Sequence, residues 1–309
     1  MRVMGIFKWW DRFLFEPVSP ITISVFRILF GLLILGHCIL YIPELENFFS
    51  DRGILTLRVA QDYSGMNRLN LFNILPPDFA TAVVLMSVLL LAAVSLTVGF
   101  CSRLSALVVF VLITSFHHRN VIVLHSGDSL LRSISFVMIF AQSGAAFSVD
   151  RWIRIYRGRE KPGPLQPKAP WAQRLIQIQL ALVYIATFRW KIEGEFWIDG
   201  TAVYYASRLP ECSRFPIPLL LTYLPLIKLM TWTTLLVEFA CGILIWFRDI
   251  RYYVLVAGLL LHLGLEWSMN IPLFQWIMMF TLVTFIYPEH MQKAVDWLKR
   301  KLTKAEKTS

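Results

Sequence analysis

Residues 79–100 read FATAVVLMSVLLLAAVSLTVGF, 22 residues with no charge among them. An α-helix needs about 20 apolar residues to cross the hydrocarbon core of a bilayer, and this run has them. Seven further stretches share its character, at roughly 20–41, 104–123, 129–149, 171–190, 227–247, 252–266 and 271–287. Lipid offers the backbone no hydrogen-bond partner, so each is predicted as a helix that satisfies its own amides. The whole chain agrees. Of its 309 residues 57% are apolar and only 16% charged, where soluble domains stay near about 45–50% apolar. Such a chain cannot hide its apolar surface as a soluble domain, and it is far too hydrophobic for disorder. The predicted fold class is an all-α polytopic transmembrane bundle of about eight spans.

The net charge of +10 fits either nucleic-acid binding or membrane orientation, and the positions of the charges decide. With the N-terminus inside, the inner segments 1–19, 101–103, 150–170, 248–251 and 288–309 hold 18 Lys and Arg. The outer segments hold 7, namely Arg52, Arg58, Arg68, Arg119, Lys191, Arg208 and Arg214. This is the positive-inside pattern, and it places both termini in the cytoplasm. The charge is an orientation signal, and no nucleic-acid partner is expected. The first apolar run starts near residue 20, carries Arg27 and lacks a small-residue cleavage site, so it is expected to remain as the first span. Three parts follow: a cytoplasmic segment 1–19, a bundle 20–287 with long outer loops 42–78 and 191–226 capping its mouth, and a basic amphipathic tail 288–309 on the inner leaflet.

Ionisable groups within a membrane are costly and ask for a reason. Arg27 and Glu238 fall inside spans 1 and 6; each is a structural charge in need of a partner, and each is a candidate partner for the other wherever their helices meet. In HHRNVIVLHSGDSLLR, residues 117–132, Asp128 and Arg132 have the i,i+4 spacing of a pair on one helix face, and His125 stands just before the helix start. Lys191 ends an uncharged run at the outer edge of span 5. A desolvated lysine amine gives up its proton readily and can serve as a base or nucleophile, whereas an interfacial lysine with Trp190 and Trp197 as belt anchors is the plainer reading. His262 and Glu266 are four apart on span 7, a spacing for acid–base work or for a packed histidine. The topology sends His125, Lys191, His262 and Glu266 to the outer side. No zinc-type spacing, P-loop or GxGxxG occurs, so no metal is expected, and Cys38, Cys101, Cys212 and Cys241 form no CxxC. Only Cys38 and Cys212 could meet on the outer side.

Five blocks together resemble the HTTM domain, the transmembrane domain shared by vitamin K-dependent gamma-carboxylase and many bacterial proteins. They are FRILFGLLIL with FFSDRGIL (26–35 and 48–55), TVGFCSRLSALVVFVL (97–112), RNVIVLHSGDSLLRSISF with FSVDRW (119–136 and 147–152), VYIATFRWKIEGEFWIDGTAVYY (183–205) and HLGLEWSMNIPLFQWIMMF (262–280). Their order is the family's, over roughly residues 12–290. The resemblance implies a reduced-naphthoquinone enzyme, with vitamin K hydroquinone or menaquinol as cofactor and O2 and CO2 as co-substrates. In that chemistry a lysine deprotonates the hydroquinone, oxygen adds, and the resulting base removes a γ-proton from glutamate before CO2 adds. Lys191 matches the family lysine and His125 the family histidine near it, with His262 a looser match; Asp128, Arg132 and Glu266 would line the pocket. The implied location is a bacterial cytoplasmic membrane. Short members of the family imply an alternative: a non-catalytic accessory, embedded in lipid, for maturation or export of a secreted peptide or protein.

Overall fold

The computed structural model describes residues 2–64, 68–210, 212–214 and 222–306. It is all-α, with no strand among the described residues. In chain order the helices are α1 (Arg2–Phe15), α2 (Ile21–Tyr41), α3 (Leu45–Phe49), α4 (Leu57–Ser64), α5 (Phe79–Val98), α6 (Ser102–Arg119), α7 (Ser126–Phe140) and α8 (Val149–Tyr156). They continue as α9 (Trp171–Ile192), α10 (Glu195–Ile198), α11 (Ala202–Ala206), α12 (Leu224–Gly242), α13 (Arg251–Ser268), α14 (Phe274–Leu282) and α15 (Pro288–Glu306). A helix occupies each stretch expected to span. Among the described residues four are long and apolar enough to cross a membrane: the continuous run Ile21–Phe49, then α5, α9 and α12. Parts of the two expected outer loops, at 65–67, 211 and 215–221, lie outside the described residues, as does the end of the tail from Lys307.

The described chain forms two compact units, residues 1–174 with 286–309, and residues 175–285. In the first, α2, α5, α6 and α7 pack in sequence order around Phe26, Phe30, Ile34, Phe116, Leu131 and Ile134, all buried. Gly31 permits the close approach of α2 to α5, since a Cβ there would lie 2.2 Å from Thr97 Oγ1. Asp78 starts α5 by accepting the Thr81 amide at 2.8 Å, and Gly99 ends it at φ 72°. The turn into α6 is clamped by Asp150, whose carboxylate accepts the amides of Cys101 and Ser102 at 2.7 and 2.9 Å. The first outer loop is tied down from α6: Arg119 donates to Leu55 O at 2.9 Å and to Asp51 Oδ1 at 3.0 Å. Aromatic rings of Tyr41, Phe49, Phe116 and Phe72 stack edge to face beneath it, 4.8–5.5 Å apart.

The expected span 129–149 is corrected. Its helix stops at Phe140, a 3-10 turn follows at Ser143–Ala145, and α8 begins at Val149. The cause is Arg27. Its buried guanidinium takes the carbonyl oxygens of Ser143, Ala146 and Phe147 at 2.6, 3.2 and 2.5 Å, so these carbonyls face a cation instead of continuing a helix. The N-terminal segment 1–19 carries the helix α1, with Phe7, Trp9 and Phe15 exposed in the manner of an interfacial helix. In the second unit, α12 and α13 form an antiparallel hairpin, and Arg251 caps its turn by donating to Ile245 O and Trp246 O at 2.9 and 3.1 Å. Helix α14 follows α13 closely. All four cysteines are free thiols, Cys38 and Cys212 included.

Candidate functional site

Two polar clusters stand out, one in each unit. In the second unit Lys191 sits on the last turn of α9, three-quarters buried. Its Nζ is bonded to Glu238 Oε1, from the middle of α12. The charge also lies over the Trp197 ring, 4.6 Å from its centroid. The nearby acid in sequence, Glu193, turns instead to Arg189 at 3.5 Å on the helix exterior. Glu238 Oε2 is buried and accepts no hydrogen bond among the described residues. The Thr187 hydroxyl, one turn before Lys191, is given to the Tyr184 carbonyl at 3.0 Å.

Tyr184, on the same helix, reaches α13. Its hydroxyl lies 2.7 Å from His262 Nε2, and His262 Nδ1 lies 2.6 Å from Gln275 Oε1 on α14. The Gln275 oxygen can only accept, so Nδ1 carries the proton and Nε2 accepts from tyrosine. All three side chains are buried, at 2%, 3% and 1% exposure for Tyr184, His262 and Gln275. His262 has thus spent both ring nitrogens. Glu266, one turn on, does not join it; it pairs with Arg214 at 3.1 Å, beside the short backbone bridge of Ser213 to Met269.

The first unit holds the other cluster. His125 is the N-cap of α7: its Nδ1 accepts the Gly127 amide at 3.0 Å, and Asp128 Oδ2 accepts the His125 amide at 2.8 Å. The two residues form a reciprocal capping box. Asp128 therefore faces backwards. Arg132 turns to Ser129 Oγ at 3.3 Å, and the expected Asp128–Arg132 pair is corrected: the cap fixes the carboxylate away from the following turn. Asp128 Oδ1 instead faces two buried histidines, His37 on α2 and His117 on α6, each with a ring nitrogen 3.9 Å away. The two imidazoles meet Nε2 to Nε2 at 3.0 Å. A cleft of about 640 Å³ in the same unit, lined by Arg103, Asp150, Arg154, Glu160 and Lys168 among others, touches none of these residues.

The HTTM domain profile matches residues 15–290, nearly nine-tenths of the sequence. The chain belongs to the HTTM domain family. No solved structure matches it. In this HTTM protein the residues singled out from sequence divide between the units, His125, Asp128, Arg132 and Arg27 in the first, Lys191, Glu238, His262 and Glu266 in the second. Arg27 and Glu238 are not partners; carbonyl oxygens take the first and Lys191 the second. Sequence reasoning missed His37, His117, Tyr184 and Gln275. A polar residue within an apolar run was the available signal for each, but their contacts cross 13 to 80 positions of the chain.

Proposed function

We propose that this membrane-embedded HTTM protein is a lipid-quinol- and O2-dependent enzyme of the carboxylase or epoxidase type, with Lys191 as its base. The observation that carries the reading is the bond from Lys191 to buried Glu238, whose second oxygen is left without a partner. A lysine there is more than an interfacial anchor. Transfer of the ammonium proton to Oε1 leaves a neutral amine, and a neutral pair is cheaper than two charges in a low-dielectric setting. Trp197 gives the amine a π face on one side and a flat apolar wall for a ring. The free Oε2 is an acceptor that a ring hydroxyl fits. Glu238, Lys191 and Trp197 would hold a reduced naphthoquinone, which with oxygen supplies the strong base needed to take a carbon-bound proton. Tyr184, His262 and Gln275 keep the helices beneath the lysine in register. The outward-facing orientation, the eight spans and the cytoplasmic termini belong to the same proposal and rest on the distribution of basic residues.

Purified protein in lipid nanodiscs, supplied with menaquinol and oxygen, should form quinone epoxide, and Lys191→Ala should lose at least about 100-fold, the scale of removing a general base. Full turnover by that variant would sink the assignment. A second reading, the non-catalytic accessory, is favoured by the exposed Ile54, Tyr63 and Ile74 on the first outer loop, a surface suited to a secreted peptide. Recovery of one consistent small peptide together with no co-purifying quinone in mass spectrometry would select it.

A further inference from the structure

The buried histidine pair of the first unit has no place in that chemistry, and its geometry points to a second site. We propose that His37, His117 and Asp128 bind a divalent transition-metal ion. Three helices, α2, α6 and α7, each deliver one donor, and the three donor atoms lie within 4.8 Å of one another. Ligands about 2.1 Å from a shared ion, at roughly 90–109° to each other, stand about 3.0–3.4 Å apart. The two Nε2 atoms already do so at 3.0 Å. Asp128 Oδ1 lies 3.9 Å from His117 Nε2 and meets His37 on its Nδ1 side, also at 3.9 Å; it has to swing toward the two Nε2 atoms by about 1–2 Å, a rotation of its side chain within a donor group that already spans no more than 4.8 Å.

The surroundings favour a cation. His37, His117 and Asp128 are 6%, 0% and 3% exposed, and a buried carboxylate facing two imidazoles is best neutralised by an ion between them. The two rings bond to each other through Nε2, and His117 Nδ1 has no partner among the described residues. His125 is not a fourth ligand. Its Nδ1 accepts the Gly127 amide, so its neutral ring carries the proton on Nε2, 3.7 Å from Asp128 Oδ2. It acts on the ligand, fixing Oδ2 so that Oδ1 points inward. Two imidazoles and one carboxylate suit Zn2+, Fe2+ or Co2+ and not Mg2+ or Ca2+, which take oxygen sets. Three protein donors leave a position for water or a small ligand, as reactive sites do and closed structural sites do not.

The test uses the full chain in detergent, stripped with a chelator, then dialysed separately against Zn2+, Fe2+ and Co2+ and measured by elemental mass spectrometry. About one equivalent is expected for at least one of these ions, with the visible bands of nitrogen- and oxygen-ligated cobalt and a higher melting temperature on reloading. His37→Gln and Asp128→Asn should each retain less than a tenth of that metal while eluting as monodisperse protein, and Arg189→Gln in the other unit, on the helix exterior, should bind as wild type does. Wild-type protein that keeps less than about a tenth of an equivalent of every ion overturns the site, whatever the variants do. So does full binding by well-folded His37→Gln and Asp128→Asn. If those variants fail to fold, the wild-type cobalt spectrum decides: no ligand-field bands at one equivalent overturns it.

Discussion

Single charges in this protein are governed by what can reach them in lipid. Lys191 was legible as a candidate because it follows closely on an uncharged run, residues 175–188, of its own helix. Its partner was not, because Glu238 is 47 positions away and nearer acids were on offer. Glu193 loses that competition because i,i+4 geometry gives it to Arg189. Removing one member of a buried pair strands the other charge, at a cost of about 3–5 kcal/mol. Lys191→Ala and Glu238→Ala should therefore each lower the melting temperature strongly, and the double variant should lose clearly less than their sum. Strict additivity in that cycle, read by thermal unfolding in detergent, would show that the two do not interact. Tyr184→Phe should be milder, about 1 kcal/mol, since it removes one neutral hydrogen bond to His262 while keeping the ring.

At the scale of elements, periodicity and length foretold where helices lie, and local contacts decided where they stop. The α5–α6 turn shows this. Gly99 adopts φ 72°, and a Cβ there would lie 2.5 Å from Ser148 Cβ and 2.8 Å from the Arg27 guanidinium. Gly99→Ala combines left-handed strain with that clash and should cost at least about 2 kcal/mol, seen as a fall in melting temperature. The break after Phe140 was invisible in an apolar run, because the group that holds the non-helical carbonyls beyond it, Arg27, comes from α2. Beyond α8, Glu160 accepts Arg151 Nε and Arg154 Nε at 2.9 Å each. Burial pushes its carboxyl up, but the bonds from Arg154 and Arg151 outweigh this and hold it below its ordinary value. A carboxyl held down in the folded state adds stability above its unfolded value and loses it as pH falls through the folded one. Hydrogen-exchange protection in 150–163, taken relative to the intrinsic rate at each pH, should therefore be high at neutral pH and fall below the usual carboxylate range, and Glu160→Gln should show the low protection at neutral pH. Equal protection in that variant at neutral pH would refute the clamp.

For the molecule as a whole, the bias of 18 inner against 7 outer basic residues predicts both termini on the cytoplasmic side. Reporter fusions at either terminus should be active only in a cytoplasm-dependent assay, and a cysteine placed at Arg58 should react with a membrane-impermeant reagent from outside. Opposite sides for the two termini would require an odd number of spans. The sequence by itself determined the solvent, the helical class and the family, because apolar run length, charge placement and block order are properties of the chain read in one dimension. The candidate base and the start of α7 near Asp128 were also legible, since each is marked by its immediate neighbours, whereas the cap that His125 and Asp128 form was not. Only the tertiary structure decided the partners: carbonyls for Arg27, Glu238 for Lys191, Tyr184 and Gln275 for His262, and a meeting of His37, His117 and Asp128. In a low-dielectric interior every polar group must find a complement, and which one it finds depends on which helices pack together, a choice that local spacing does not encode.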